Sequence, residues 1–192
     1  MISIKRKTKE TDISVKLEMN TPPGGSINTS VPFLDHMLYS MSFHGGFYLE
    51  ITASGDTDVD PHHLVEDTGI TIGSALEKAR MDANGIMRFG ERKIPMDDSL
   101  AEAVIDAGGR AWLEWRVEWA QEKAGDFDLF LLKDFFWGIA SASKMNIHIN
   151  VPYSHNGHHA AEAVFKAFGK ALAQAYKPTG TGEKGMSTKG VI

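Results

Sequence analysis

There is no cysteine among the 192 residues. That absence removes disulfides, thiolate metal ligands and a cysteine nucleophile together, and it fits a reducing cytoplasm. No apolar run approaches the roughly 18 residues that a membrane helix requires, and the opening stretch M-I-S-I-K-R-K-T-K-E has no secretory-leader pattern. Positive charge is not in excess either. Lys and Arg number 20 against 25 Asp and Glu, a formal net charge of −5, so the basic face that non-specific nucleic-acid binding needs is missing. No G-x-x-x-x-G-K-[ST] loop is present to cradle a nucleoside triphosphate. What remains is a soluble, cytoplasmic protein with no membrane or nucleic-acid partner. Its length suits one compact domain or two small ones sharing a core.

Histidine, by contrast, is present in an arrangement that invites explanation. Residues 60–69 read D-P-H-H-L-V-E-D-T-G and residues 157–168 read G-H-H-A-A-E-A-V-F-K-A-F, so H-H-x-x-E occurs twice at an offset of 96 residues, half the chain. A second match supports an internal duplication. L-D-H-M-L-Y-S-M-S-F-H-G-G-F-Y-L-E-I (34–51) aligns without gaps to L-K-D-F-F-W-G-I-A-S-A-S-K-M-N-I-H-I (132–149), setting His36 opposite Asp134 and Ile51 opposite Ile149. Each segment reads as a helix running into a strand. Ile13, Val15, Leu17 and Met19 alternate as in a half-buried strand, and so do Leu113, Trp115, Val117 and Trp119. Val65, Ile72, Leu76 and Ala79 follow helical spacing, as do Ala161, Phe165, Phe168, Leu172 and Ala175. The chain therefore divides into a first half over 1–92, a second over 93–177 and a tail over 178–192 that reads as a loop closing on substrate. Residues 90–99 read as the joint.

The H-H-x-x-E spacing carries a geometric consequence. Residues four apart share a helix face, whereas neighbours diverge by roughly 100°. His62 and Glu66 can grip one ion, and His158 and Glu162 another, while the adjacent histidine of each pair points elsewhere. Two such helices about a pseudo-twofold axis would exchange those histidines, within one chain or between copies. One ion then receives His158, Glu162 and His63, the other His62, Glu66 and His159. His36 and Asp134, matched by the duplication, offer a further ligand to each. A sulfur-free shell of imidazole and carboxylate suits manganese, iron, zinc or cobalt. A single H-H pair is usually a surface accident or a helix start, but recurrence with the same glutamate favours metal. Lys166 lies one helical turn beyond Glu162. With Arg88, Arg110, Ser187, Thr188 and Lys189 it makes a candidate phosphate-binding set. On ligands alone, a dinuclear metallohydrolase and a non-catalytic metal-binding shell protein compete with other metalloenzymes.

The ordered motifs F-L-D-H-M, G-D-T-D-V-D-P-H-H-L-V-E-D-T-G-I, P-M-D-D-S-L-A, G-G-R, N-G-H-H-A-A-E-A-V-F-K-A-F-G-K-A-L and S-T-K-G resemble those of the imidazoleglycerol-phosphate dehydratase family along essentially the whole chain. The resemblance implies an α/β fold of the α+β type, with helices packed between two four-stranded mixed sheets. It implies a hydro-lyase that converts D-erythro-imidazole-glycerol phosphate into imidazole-acetol phosphate and water in histidine biosynthesis. It further implies two Mn²⁺ ions and a homo-oligomer of 24 subunits built from trimers, with sites shared between subunits. Carried onto this chain, His36, His63, His158 and Glu162 would hold one ion, and His62, Glu66, His159 and Asp134 the other. Arg88, Arg110, Lys166, Ser187, Thr188 and Lys189 would hold the substrate. Glu10, at the substrate from a neighbouring subunit, is the expected acid/base, with Glu66 and Glu162 as further catalytic carboxylates. Position 134 is commonly His in that family. Asp here has a shorter reach and a charge, which leaves an altered substrate as a further possibility. Pro61, Leu64 and Gly108 also depart from the pattern without removing a ligand.

Overall fold

A computed structural model describes residues 1–180. Two four-stranded sheets enclose four helices, and the two halves of the chain lay down their elements in the same order. The first half contains β1 (Ile2–Lys7), β2 (Thr11–Glu18), β3 (Ile27–Asn28), α1 (Pro32–Gly45), β4 (Tyr48–Gly55) and α2 (His62–Asp82). The second contains β5 (Phe89–Met96), β6 (Ser99–Asp106), β7 (Trp112–Arg116), a small hairpin of β8 (Lys123–Ala124) and β9 (Phe127–Asp128), α3 (Leu131–Ser143), β10 (Asn146–Tyr153) and α4 (Gly157–Ala175). The sheet orders are β1-β2-β4-β3 and β5-β6-β10-β7. In each sheet the short last strand runs parallel to its neighbour and the other pairings are antiparallel.

Period-two alternation explains which face of each sheet is dry. Ile13, Val15 and Leu17 on β2 are buried with Leu49, Ile51 and Ala53 on β4, while the residues between them are partly or fully exposed. In the second sheet Ala101, Ala103 and Ile105 on β6 do the same beside Ile147 and Ile149. The helices cross in two pairs, α1 on α4 and α2 on α3. Both crossings need a glycine. A Cβ on Gly73 of α2 would run into the Ile139 carbonyl of α3, and one on Gly169 of α4 into the Met41 carbonyl of α1. Ile139 and Met41 are 98 residues apart, the same offset that pairs Asp134 with His36.

Two sequence expectations need correction. Residues 90–99, read as the joint, form most of β5 and its turn into β6, so the division at 92/93 falls within a strand. By element order the second set starts at Phe89. The strand lacks an alternating signal because β5 is a sheet edge, where exposed Glu91, Arg92 and Lys93 and a proline, Pro95, are tolerated. The alternation expected over Leu113–Trp119 is strand only as far as Arg116. Its partner β10 pairs with it up to Asn150, and around Pro152 β10 also loses register with β6. The tail from 181 onward, with Ser187, Thr188 and Lys189, lies outside the described residues.

Candidate metal centre

The start of α1 is fixed before it presents a ligand. Asp35 Oδ1 accepts from the Thr29 backbone N–H at 2.7 Å and from its hydroxyl at 2.5 Å, which ties the helix to the segment that precedes it and sets His36 beside the anchor. At α4 the Asn156 side chain accepts from the His158 and His159 backbone N–H groups. It thus caps the helix and places both histidines in the first turn. The α2 start is capped differently. Pro61 is the cap residue and the His62 N–H donates to Asp60 Oδ1 at 2.7 Å.

Where α1 crosses α4, three predicted ligands converge. His36 Nε2 lies 3.7 Å and His158 Nε2 3.6 Å from Glu162 Oε2. One ligand atom from each residue lies within 4.8 Å of both others, the only such set of His, Asp and Glu among the described residues. Ligands bonded to one ion at about 2.1 Å are separated by roughly 3.0–3.4 Å, so small side-chain adjustments close this set on a metal. Phe33 meets the His158 ring edge-on at 5.5 Å and itself stacks on buried Phe127 of the hairpin. Lys166 donates to Glu162 Oε1 at 2.9 Å, and its Nζ lies 3.3 Å from Met96 Sδ. Burial raises the Glu162 pKa, but the Lys166 hydrogen bond and charge, with His36 and His158, outweigh it and hold the carboxyl below its ordinary value.

At the α2/α3 crossing the corresponding residues are looser. His62 Nε2 is 3.9 Å from Glu66 Oε2, whereas its Nδ1 is 3.7 Å from Asp134 Oδ2. The two carboxylates bracket the ring instead of meeting at one nitrogen. Here the place four residues after Glu66, which matches Lys166 in the other half, is Ile70.

The second histidine of each pair turns away from its own cluster, as adjacency on a helix requires. His63 Nδ1 sits 3.1 Å from Asp56 Oδ2 at the end of β4, and His159 Nδ1 3.1 Å from Asp98 Oδ1 in the β5–β6 turn. The Asp56 bond raises the His63 pKa, helped by the charges of Glu10 and Asp60 and opposed by desolvation. Neither aspartate was singled out from sequence as a site residue. They come from strand ends, and helical spacing gives no hint of them, although both lie inside quoted motifs. Glu10 sits at the β1–β2 turn on the same side as His63, with its carbonyl accepting from the Asp56 N–H at 3.1 Å.

The predicted anion-binding residues are dispersed in the single chain. Lys166 is beside Met96, at one end of β5, while Arg88 precedes the other end, about 25 Å away at roughly 3.3 Å per strand residue. Arg88 holds a left-handed backbone at φ 68° and grips Asp106 with two bonds of 2.6 and 2.9 Å. Arg110 is exposed before β7, its carbonyl bound by the Asn146 side chain.

This arrangement has relatives. The family profile of imidazoleglycerol-phosphate dehydratase matches residues 29–172. The chain belongs to the imidazoleglycerol-phosphate dehydratase family. Dehydratases of that name from Methanococcoides burtonii and Thermodesulfovibrio yellowstonii are 48% and 46% identical, with 98% and 99% of this chain covered and 97% and 98% of theirs. The crystal structure of the imidazoleglycerol-phosphate dehydratase from Pyrococcus furiosus superposes with a TM-score of 0.85 at 39% identity, covering 98% of this chain and all of the other. That from Staphylococcus aureus gives 0.82 at 38% identity, covering 93% and 99%. The mixed α/β architecture expected from the resemblance is that of the family. Among the described residues no helix is long and apolar enough to cross a membrane.

Proposed function

We propose that this chain is a metal-dependent hydro-lyase that removes water from D-erythro-imidazole-glycerol phosphate to give imidazole-acetol phosphate, a step of histidine biosynthesis. Full-length similarity to relatives that bear the dehydratase name supports the reaction. The observation that carries the metal dependence is the convergence of His36, His158 and Glu162 from two helices. Their imidazole and carboxylate donors suit Mn²⁺, and the fit extends to other divalent ions of similar ligand preference. His62, Glu66 and Asp134 would hold the second ion. Ions bound at these places would serve as Lewis acids and as a template for the substrate's imidazole.

Each set of three is one imidazole short of the expected four. His63 and His159 face away from the cluster on their own helix, and a neighbouring copy of the chain is the source of the missing ligand. Exposed aromatics surround both crossings in support of this reading. Tyr39 and Phe43 stand on α1 and Trp137 on α3, with Tyr39 and Trp137 at matched positions of the repeat. Aromatic groups exposed beside a polar cluster are what a subunit contact buries. In this reading the assembly is, as the family resemblance implies, a homo-oligomer with shared sites, of the 24-subunit type built from trimers. Arg88 and Lys166, at opposite ends of β5, then reach one phosphate only through contacts between copies, and Arg110, Ser187, Thr188 and Lys189 belong to the same proposed set.

In the reaction the hydroxyl on the ring-bearing carbon leaves and the neighbouring carbon loses its proton, giving an enol that becomes the ketone. Glu10, beside His63, takes and returns the proton, and Glu66 and Glu162 remain available as carboxylates at the metals. Phosphate contacts supply orientation remote from the reacting carbons. The test is turnover of imidazole-glycerol phosphate by metal-stripped protein with and without Mn²⁺, alongside light scattering. Ketone formed only with Mn²⁺, in a large assembly, is the expected result. Release of inorganic phosphate would instead mark a metallohydrolase, and absence of any product from fully assembled, metal-bound protein would point to a different substrate.

A further inference from the structure

The duplication exposes a division of labour among acidic residues that faces the two outward histidines. By strand register Ile4 pairs with Val15 and Val15 with Ile51 in the first sheet, while Arg92 pairs with Ala103 and Ala103 with Ile149 in the second. Matching Ile51 to Ile149 therefore places Val15 over Ala103 and, at the same offset of 88 residues, Glu10 over Asp98. Asp98 is tied to a histidine and its repeat counterpart Glu10 is not. On the first side the task falls to Asp56, whose counterpart, matched as Ile51 is to Ile149, is Ser154. The two halves have thus solved one requirement, an acceptor on the Nδ1 of the second histidine, with residues from different strand ends.

Asp98 is held for the purpose. Its Oδ1 accepts from the Ser99 hydroxyl at 3.0 Å, and the Ser99 and Ser154 hydroxyls lie 2.9 Å apart. Ser154 donates to the carbonyl of Asn156 at 3.0 Å, the same residue whose side chain caps the helix that carries His159. Asp98 and the helix that carries His159 are therefore linked through Ser99, Ser154 and Asn156, whose backbone N–H also donates to Ser154 Oγ at 3.3 Å. Asp56 is held by its backbone N–H on the Glu10 carbonyl. Its Oδ1 is buried and has no partner among the described residues, so the visible bond of its carboxylate is the one to His63.

We infer that Asp56 and Asp98 are positioning residues that fix His63 and His159 in the Nδ1–H form with Nε2 aimed outward, and that this substitution of Asp56 for the Glu10 position leaves Glu10 free to act on substrate. The inference rests on the two-metal reading above. A carboxylate on the far nitrogen of a ligating imidazole sets its tautomer and ring orientation and makes the other nitrogen more basic, and losing one typically costs 10–100-fold in metal affinity. The coupling is crossed. Asp98 acts through His159 on the ion of the α2/α3 cluster, and Asp56 through His63 on the ion of the α1/α4 cluster, each in another copy.

The experiment uses the intact assembly of the parent, Asp56→Ala, Asp98→Ala and the two Asp→Asn variants. Long-range ¹⁵N–¹H spectra of metal-free protein report the tautomers, and Mn²⁺ titration reports two affinities. Folding and assembly are checked by circular dichroism and light scattering. We expect the parent to show Nδ1–H at both histidines. Each Ala variant should lose that preference at its own histidine and weaken one Mn²⁺ site about 10–100-fold, with Asn restoring part of both. Should an Ala variant fail to assemble, the Asn variant, which keeps an acceptor but no charge, decides by the same readouts. A parent that binds two ions while the variants bind them equally well, with unchanged tautomers, overturns this inference alone. A parent that binds no Mn²⁺ overturns it together with the reading on which it rests.

Discussion

At the α1/α4 crossing a glutamate meets two imidazoles and is backed by a partly buried lysine, whereas at the α2/α3 crossing two carboxylates bracket one imidazole and isoleucine, Ile70, stands in the lysine's place. The helices, the crossing glycines and the ligand spacing are shared. What differs is a handful of side chains, and they change the chemistry offered. The first cluster offers two imidazoles and one carboxylate paired with Lys166. The second offers one imidazole and two carboxylates left more open to solvent. Asp134 lies where the other half has His36, and a side chain that ends one bond beyond its Cγ does not reach the far side of His62. Under the proposed two-metal reading, equivalent backbones would therefore carry ions of unequal grip.

That comparison can be broken at several strengths. The largest effect is expected from Glu10→Gln, which keeps the charge-independent shape of the turn but removes the proposed proton-transfer group. Turnover should fall about 10²–10⁴-fold with Mn²⁺ content and assembly unchanged, and near-normal turnover would remove Glu10 from its role. Next comes the inequality of the sites. In a chelator titration one Mn²⁺ per chain should leave before the other. Glu66→Gln should abolish the early-leaving ion and Glu162→Gln the late one, read by metal analysis after gel filtration. Loss of both ions in a single step from the parent would erase the distinction drawn above. Asp134→His sharpens the comparison from the other side. By giving the α2/α3 site a second imidazole it should tighten the weaker Mn²⁺ by about tenfold, the low end of what a ligand-shell change does.

The smallest effect concerns the crossings themselves. Lys144 at the end of α3 reaches Glu77 of α2 at 3.3 Å, and Arg80 holds the same carboxylate. The α1/α4 pair has alanine and glycine, Ala173 and Gly46, at the matching places. Burial raises the Glu77 pKa, but Arg80 and Lys144 outweigh it, so the folded value lies below 4.5. A depressed carboxylate contributes stability that is present above the unfolded pKa and lost as pH falls through the folded one. Lys144→Met should thus cost less than about 1 kcal/mol at neutral pH, since Lys144 is well exposed, and nothing once Glu77 is protonated. Urea midpoints on both sides of pH 4.5 check it.

Much of the site was legible because it obeys local rules. The spacing of Glu66 and Glu162 from their histidines is a helix rule, and the duplication pointed to His36 and Asp134 without any knowledge of packing. Other parts were hidden for physical reasons. Asp56 and Asp98 reach their histidines from strand ends seven and sixty-one residues away in sequence, separations that no periodicity encodes. β5 hid because an edge strand tolerates charge and proline. Arg88, chosen for its glycine-rich surroundings, is engaged by Asp106, and its distance from Lys166 follows from the length of β5.

The amino-acid sequence alone determined the candidate ligand types, their grouping in pairs, the twofold repeat and the family. The reason is that side-chain chemistry and helical period are properties of short segments. Only the tertiary structure decided that α1 meets α4 and α2 meets α3, that three ligands close on one point while three others stay apart, and that His63 and His159 face outward on aspartates. Those outcomes depend on which elements the two dry sheet faces press together, and a few tenths of a nanometre of reach at one side chain separates a closed cluster from an open one.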